Sequence, residues 1–205
     1  MKEMWDNRYA ENEYAYGTEP NLFFKESLKK YNIEGKILFP AEGEGRNAVY
    51  AAKKGLESFA FDISIEGKNK ALKLAKKENV GLNYEIGDFF NLNLLNEKFD
   101  AAALIFAHFP PTIIKKYHTK IAELIKPNGF IILEGFSTNH LELQKENPNA
   151  GGPKSIDFLF SIDMIKKDFP NFKIILLEEK EVVLDEGEYH KAKSKVIRFI
   201  GRKIS

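Results

Sequence analysis

Between residues 37 and 136 short apolar runs of strand length alternate with amphipathic stretches of helix length, and that alternation leaves few architectures open. The strand-like runs are residues 37–40, 58–61, 82–86, 99–106 and 130–136. Between them, residues 47–54, 65–78 and 111–125 carry helical spacing. Repeated strand, helix, strand order predicts an α/β fold: a doubly wound, mostly parallel sheet with helices on both faces and right-handed crossovers. The pattern changes near the end. Residues 172–184 and 192–203 are two strands joined through Asp185-Glu186-Gly187-Glu188-Tyr189-His190 with no helix between them, so they are expected to pair antiparallel.

The first strand runs into Ala41-Glu42-Gly43-Glu44-Gly45-Arg46-Asn47-Ala48, a strand, glycine turn and helix in sequence. Glycines at such a corner admit positive φ and let a ligand approach the backbone with no Cβ in the way. The following helix points its free N–H groups and positive dipole end at the same place. A nucleotide-like ligand is the natural occupant, although an ordinary strand-to-helix turn has the same outline. Asp62 closes the second strand about 20 residues on, where nucleoside-binding sheets place the acid that holds a ribose. Ligands of such sheets bind outside the carboxyl ends of the strands. That rule gathers the Gly43 loop, Asp62, Asp88, His108 and residues 134–137 on one edge.

The 205 residues suit a single domain, 1–205, and bury a substantial core. A net charge of +1, from 31 basic and 30 acidic residues, supplies no field for nucleic acid or an anionic membrane. The absence of cysteine removes disulfides, thiolate nucleophiles and Cys-based metal sites. His118 and His140 lack partners at metal-site spacing and read as structural or surface residues, so no metal is expected. The charged N-terminus lacks a signal core and no apolar run nears the roughly 18 residues of a membrane span, so the expected location is cytoplasmic. Residues 1–21 interleave Trp5, Tyr9, Tyr14 and Tyr16 with Asp6, Asn7, Arg8 and Glu13. Such a leader is too aromatic for a solvated tail and is either a cap on the domain or a lid over a ligand. Asn21 is the expected N-cap of a helix over residues 22–31, with Leu22, Phe23 and Leu28 on its apolar side. Residues 65–78 form an amphipathic helix with Ala71, Leu72, Leu74 and Ala75 inward and lysines outward. Residues 138–155, with Pro148, Gly151, Gly152 and Pro153, read as a mobile loop near the site. Ser161 and Asp163 cap a helix ending at Phe169.

Taken together these residues resemble class I S-adenosylmethionine-dependent methyltransferases, in particular the small tellurite-resistance (TehB-like) and thiopurine-methyltransferase-like branch. Trp5-Asp6-Asn7-Arg8-Tyr9 with Tyr16-Gly17-Thr18-Glu19-Pro20-Asn21 is similar to that branch's entry motif, and residues 41–48 to its cofactor loop. Phe61-Asp62-Ile63-Ser64 resembles the ribose site, Gly87-Asp88-Phe89 the adenine site, Lys126-Pro127-Asn128-Gly129 the turn before the fifth strand, and Glu186-Gly187-Glu188-Tyr189-His190 a late motif near the substrate pocket. The resemblance implies a Rossmann-like sheet of seven strands, the last antiparallel, and S-adenosyl-L-methionine as cofactor. Asp62 would accept from the ribose hydroxyls and Asp88 from the adenine amino group, with Ile63 and Phe89 flanking the ring. Backbone at Ala41, Gly43 and Gly45 would hold the methionine portion, and Trp5, Tyr16 and Phe106 would border the cofactor. Two positions depart from the family: Phe39 stands where most members carry an acid, and Ala41 where most carry glycine. Glu42 is the candidate to replace that acid near the methionine ammonium; the plainer reading points Glu42 and Glu44 to solvent.

The expected reaction is methyl transfer to a small molecule, with tellurite, selenite or a thiol suggested by the branch. A general base is needed only if the acceptor arrives protonated, and His190 and His108 are the candidates. Arg46, Arg198 and Tyr189 are candidates for the substrate side, an ion pair inside the fold being the plainer use of both arginines. Rival readings are an NAD-dependent oxidoreductase on the same loop and a noncatalytic S-adenosylmethionine-binding protein. Tyr50-x-x-x-Lys54 imitates a dehydrogenase pair, but it lies in the first helix away from the ligand edge. The expected partner is a small-molecule substrate, with neither nucleic acid nor membrane, and the chain a monomer or homodimer.

Overall fold

A computed structural model describes residues 1–147 and 150–204. Seven strands form one sheet in the order β3-β2-β1-β4-β5-β7-β6. They are β1 (Lys36–Pro40), β2 (Glu57–Asp62), β3 (Asn83–Ile86), β4 (Phe99–Ile105), β5 (Ile125–Phe136), β6 (Phe172–Val183) and β7 (Lys193–Lys203). The first five run parallel, and β7 pairs antiparallel with both β5 and β6. The order reverses between β1 and β4, the switch point at which such sheets open a crevice.

The alternation of strand side chains builds two separate cores, because successive residues face opposite sides of the sheet. Leu38, Ala102, Leu104, Ile131 and Leu133 belong to one. Ile37, Phe39, Ala101, Ala103, Ile105 and Ile132 belong to the other. The first is covered by α5 (Ile114–Leu124) and α7 (Ile162–Asp168) through Tyr117, Ile121, Ile165 and Phe169. The second is covered by α2 (Leu22–Lys30), α3 (Arg46–Lys53) and α4 (Ile65–Lys77) through Phe24, Leu28, Ala48 and Ala71. Two-sided burial explains why the central strands are almost wholly apolar. Phe39 is fully buried with its ring edge-on to Phe24 at 5.5 Å. An acid at that position would face the core rather than the ligand edge, where burying an unpaired charge is costly.

Helix starts follow their capping residues. Asn21 accepts from Phe24 N at 2.9 Å, Ser64 from Gly67 N at 3.1 Å and Ser161 from Met164 N at 3.2 Å. Several expectations need correction. The leader contains a helix, α1 (Lys2–Tyr9), and the expected loop contains another, α6 (His140–Glu146). Pro148 of that loop lies outside the described residues. Helix α5 begins at Ile114 rather than residue 111, and β5 at Ile125 rather than residue 130, because the 126–129 turn is an irregularity within the strand. Leu22 and Leu72 are 61% and 40% exposed, while Phe24 takes the buried place on α2. Among the described residues no helix is long and apolar enough to cross a membrane.

Candidate active site

The glycine turn is a chain of left-handed residues: Ala41 at φ 50°, Gly43 at 61° and Gly45 at 85°. Ala41 therefore adopts, as an alanine, the conformation that glycine accepts at no steric cost. Gly43 N donates to Asp62 Oδ2 at 3.0 Å, and Gly43 O accepts from the Tyr84 hydroxyl at 2.6 Å. A Cβ on Gly43 would lie 2.5 Å from the Tyr9 hydroxyl, and one on Gly67 would lie 3.1 Å from the same ring. Tyr9 thus fills a cradle made of backbone. Trp5 stacks on Tyr9 with centroids 5.4 Å apart. Asp6 fastens the same helix by accepting from Ser64 Oγ at 2.6 Å and Ile65 N at 3.1 Å.

Asp62 accepts a second backbone bond, from Ser64 N at 2.9 Å, and its burial raises its pKa against those bonds. Each of its oxygens keeps a lone pair, so the carboxylate is oriented and still able to accept from a ligand. Ile63 is half-buried beside it. Asp88 is exposed one strand over, where it accepts from Phe90 N at 3.0 Å. Two acceptor carboxylates at adjacent strand ends, beside backbone without Cβ atoms, fit the donor hydroxyls and amino group of a nucleoside. Phe89 does not join them. Its ring is fully buried and stacked on Phe61 at 4.7 Å, a core residue rather than a flank of the site.

Neither acidic residue of the loop points freely to solvent. Glu42 is half-buried and its Oε1 accepts from Asn47 N and Ala48 N at 2.9 and 2.8 Å, capping α3 where the N-cap Gly45 has no side chain. Burial pushes the Glu42 carboxyl up to about 7 against the pull of those N–H groups. Glu44 is buried, with Oε1 2.9 Å from Lys70 Nζ. Lys70 also donates to Glu13 O at 2.5 Å, tying the leader to the loop.

A second group of side chains closes the edge beyond the loop. Phe106, at φ 52° past the end of β4, packs against His190 at 4.4 Å and Phe136 at 4.8 Å. Tyr16 lies 4.5 Å from His190 and 6.0 Å from Tyr189. Phe106 therefore faces the late loop. Glu186 binds Arg46 Nη2 at 2.7 Å and faces His190 Nδ1 at 3.4 Å. Burial alone would raise the Glu186 pKa, but the hydrogen bond with His190 and the Arg46 charge hold it at about 2. Burial lowers the pKa of His190, which keeps the ring neutral. Asn21 Nδ2 donates to Glu186 Oε1 at 2.9 Å and to Glu134 Oε1 at 2.7 Å, and Glu134 is paired in turn with Arg198 Nε at 2.5 Å. Arg46 is accordingly bound to the half-buried Glu186 and Arg198 to the buried Glu134, instead of being free for an oxyanion.

His108 is also otherwise engaged. Its Nδ1 faces Phe158 O at 2.7 Å, so it carries the proton there, and its Nε2 accepts from Phe136 N at 3.1 Å. Burial lowers its pKa to about 4. With both nitrogens used by backbone it is a structural histidine, not a free base. His140 is likewise buried, facing Gly151 O and accepting from Lys195 N. Tyr84 and Gly67 carry no sequence signal as site residues, whereas Tyr9 and Asn21 fall in the entry motif and Glu186 in the late motif without a role assigned to any of the three.

Residues 37–129 match a family model described as a methyltransferase domain, a span holding the glycine loop, Asp62 and Asp88 but neither the leader nor the late loop. A structure solved in work on the conversion of a disulfide bond into a thioacetal group during echinomycin biosynthesis superposes with a TM-score of 0.79 at 19% identity, over 100% of this chain and 92% of that one. TehB from Haemophilus influenzae gives 0.70 at 16% identity, over 98% and 66%. Magnesium protoporphyrin IX methyltransferase (ChlM) from Synechocystis PCC 6803 with bound SAH gives 0.65 at 15%, over 88% and 80%. At these identities the likeness establishes the fold. No curated protein matches the chain.

Proposed function

We propose that the protein is an S-adenosylmethionine-dependent methyltransferase, a reading supported by the match of residues 37–129 to a methyltransferase-domain model, and that it methylates a small, soft nucleophile, a thiol or a selenium or tellurium oxyanion. The observation that carries this reading is the Arg46–Glu186 ion pair at 2.7 Å, which sets His190 and its aromatic wall beside the loop that would hold the cofactor. The neighbours connected with disulfide conversion and named TehB support a soft acceptor.

In this reading Asp62 and Asp88 hold the ribose and adenine, with Ile63 and Trp5 alongside. Backbone at Ala41, Gly43 and Gly45 takes the methionine portion, and Glu42 keeps its second oxygen for the ammonium. S-adenosylmethionine held there would supply an electrophilic methyl on a sulfonium for transfer to the acceptor's lone pair, leaving the electron pair of the broken bond on the thioether sulfur. The residues contribute position and dryness, since alignment of reactants can supply about 7–11 kcal/mol. Glu186 orients the His190 ring through Nδ1, leaving Nε2 to accept the proton of a neutral thiol. Tyr16, Tyr189 and Phe106 exclude water from that proton transfer.

Calorimetric titration with S-adenosylmethionine, S-adenosylhomocysteine and NAD tests the cofactor, followed by methylation of a thiol panel. Binding of NAD alone would overturn the reading. His190→Gln is expected to retain S-adenosylhomocysteine affinity while turnover of protonated thiols falls about 100-fold. Unchanged turnover would remove His190 from the mechanism.

A further inference from the structure

Arg8 is the cation at the mouth of this site that the protein leaves uncompensated. Arg46 binds the half-buried Glu186, Arg198 the buried Glu134, and Lys70 binds Glu44. Among the described residues Arg8 pairs with no acid. Its guanidinium is half-buried, lying 4.2 Å over the Tyr189 ring and 4.9 Å from that of Trp5. One nitrogen, Nη1, donates to the Tyr16 hydroxyl at 2.8 Å. Tyr16 in turn packs on His190. Aromatic faces hold a guanidinium in place by its flat side and leave its edge free. A guanidinium has five donors in a planar fork, and a carboxylate or oxyanion is the group that fork matches.

We propose that Arg8 is the specificity residue for the acceptor and that the acceptor carries an anionic group next to the atom that is methylated. The inference rests on the methyltransferase reading and deepens it by naming the charge class of the substrate. The fork is fixed by Trp5, Tyr16 and Tyr189, so the anion docks on its edge beside His190. The nucleophile of the same molecule then lies among Tyr16, Phe106 and His190.

The test uses three thiols of similar size: mercaptoacetate, 2-mercaptoethanol and cysteamine, which are anionic, neutral and cationic at the second group. The wild-type protein is expected to methylate mercaptoacetate with the highest kcat/KM. In Arg8→Gln the ratio of mercaptoacetate to mercaptoethanol is expected to fall about 10- to 100-fold, the effect of removing a charge-assisted bond, with partial recovery in Arg8→Lys. Affinity for S-adenosylhomocysteine and for 5′-methylthioadenosine, which lacks the amino-acid end, is measured in parallel. An unchanged thiol ratio with both affinities retained overturns the proposal. Loss of affinity for S-adenosylhomocysteine alone also overturns it, by assigning Arg8 to the cofactor carboxylate. A wild-type protein that binds neither nucleoside overturns the methyltransferase reading, and this inference with it.

Discussion

Gly43 and Gly45 sit two residues apart in one turn, yet they are glycines for different reasons. A Cβ on Gly43 would meet the hydroxyl end of Tyr9, a side chain that can swing aside. A Cβ on Gly45 would meet Ala71 Cβ at 2.5 Å and Ala71 Cα at 2.9 Å, on the backbone of a packed helix. Gly45→Ala adds a left-handed penalty to that overlap and is expected to lower stability by about 2–5 kcal/mol, measured by urea unfolding. Gly43→Ala is expected to cost less stability, the loss falling on cofactor binding in titration. The sequence pattern marks both glycines alike, because it records the turn and not which helix leans against it. Ala41 makes the complementary point: its departure from glycine is legible in sequence, but that it still takes φ 50° is visible only in the fold.

At the scale of elements, what periodicity announces and what it omits separate cleanly. The strands and helices between residues 36 and 136 bury one face or two, so their side chains carry the period of the structure. Helix α1 does not. Its eight residues are mostly polar, and it is held by Tyr9 and Asp6 reaching to α4 and the glycine turn, with Trp5 stacked on Tyr9. Helix α6 was hidden for a similar reason, since its anchor is one buried histidine, His140. The junction of leader, sheet and late loop was beyond sequence altogether, because Asn21, Glu134 and Glu186 are far apart in the chain and meet only once register is set. That junction is strong enough to test. Asn21→Ala removes the α2 cap and leaves the buried Glu134 and the half-buried Glu186 each short of a donor. A loss of about 2–4 kcal/mol is expected in chemical denaturation, with faster proteolysis within residues 1–20.

For the whole molecule, acid is the condition that exposes how the site end is built. His108, His140 and His190 all pack around the Phe136 ring, with centroids 5.7, 4.4 and 5.2 Å away, and burial lowers the pKa of each. A histidine whose folded pKa lies below its unfolded value near 6.5 favours folding above that value. The contribution is lost as pH falls from about 6.5 toward 4, because the unfolded chain then binds protons the folded one refuses. For His108, with a folded value of about 4, the loss amounts to roughly 3 kcal/mol. Glu42, raised to about 7, acts in the opposite sense over the same interval. The expected readout is therefore the stability difference between the wild type and His108→Gln, which falls by about 3 kcal/mol as pH drops from about 6.5 to 4. A difference between the two proteins that does not change with pH across the interval would contradict the neutral, backbone-bonded ring.

The place of β7 has a consequence for how the protein is made. It lies between β5 and β6 in the sheet but follows both in the chain. During synthesis β6 emerges with no neighbour to pair with, and β5 presents an open edge until β7 arrives to fill the gap. The same late segment follows directly on the loop that brings Glu186 and His190 to the site. A chain cut short before β7 therefore carries the loop with Glu186 and His190 but lacks the strand that seals its sheet. Such a product keeps the edges of β5 and β6 open and is prone to self-association.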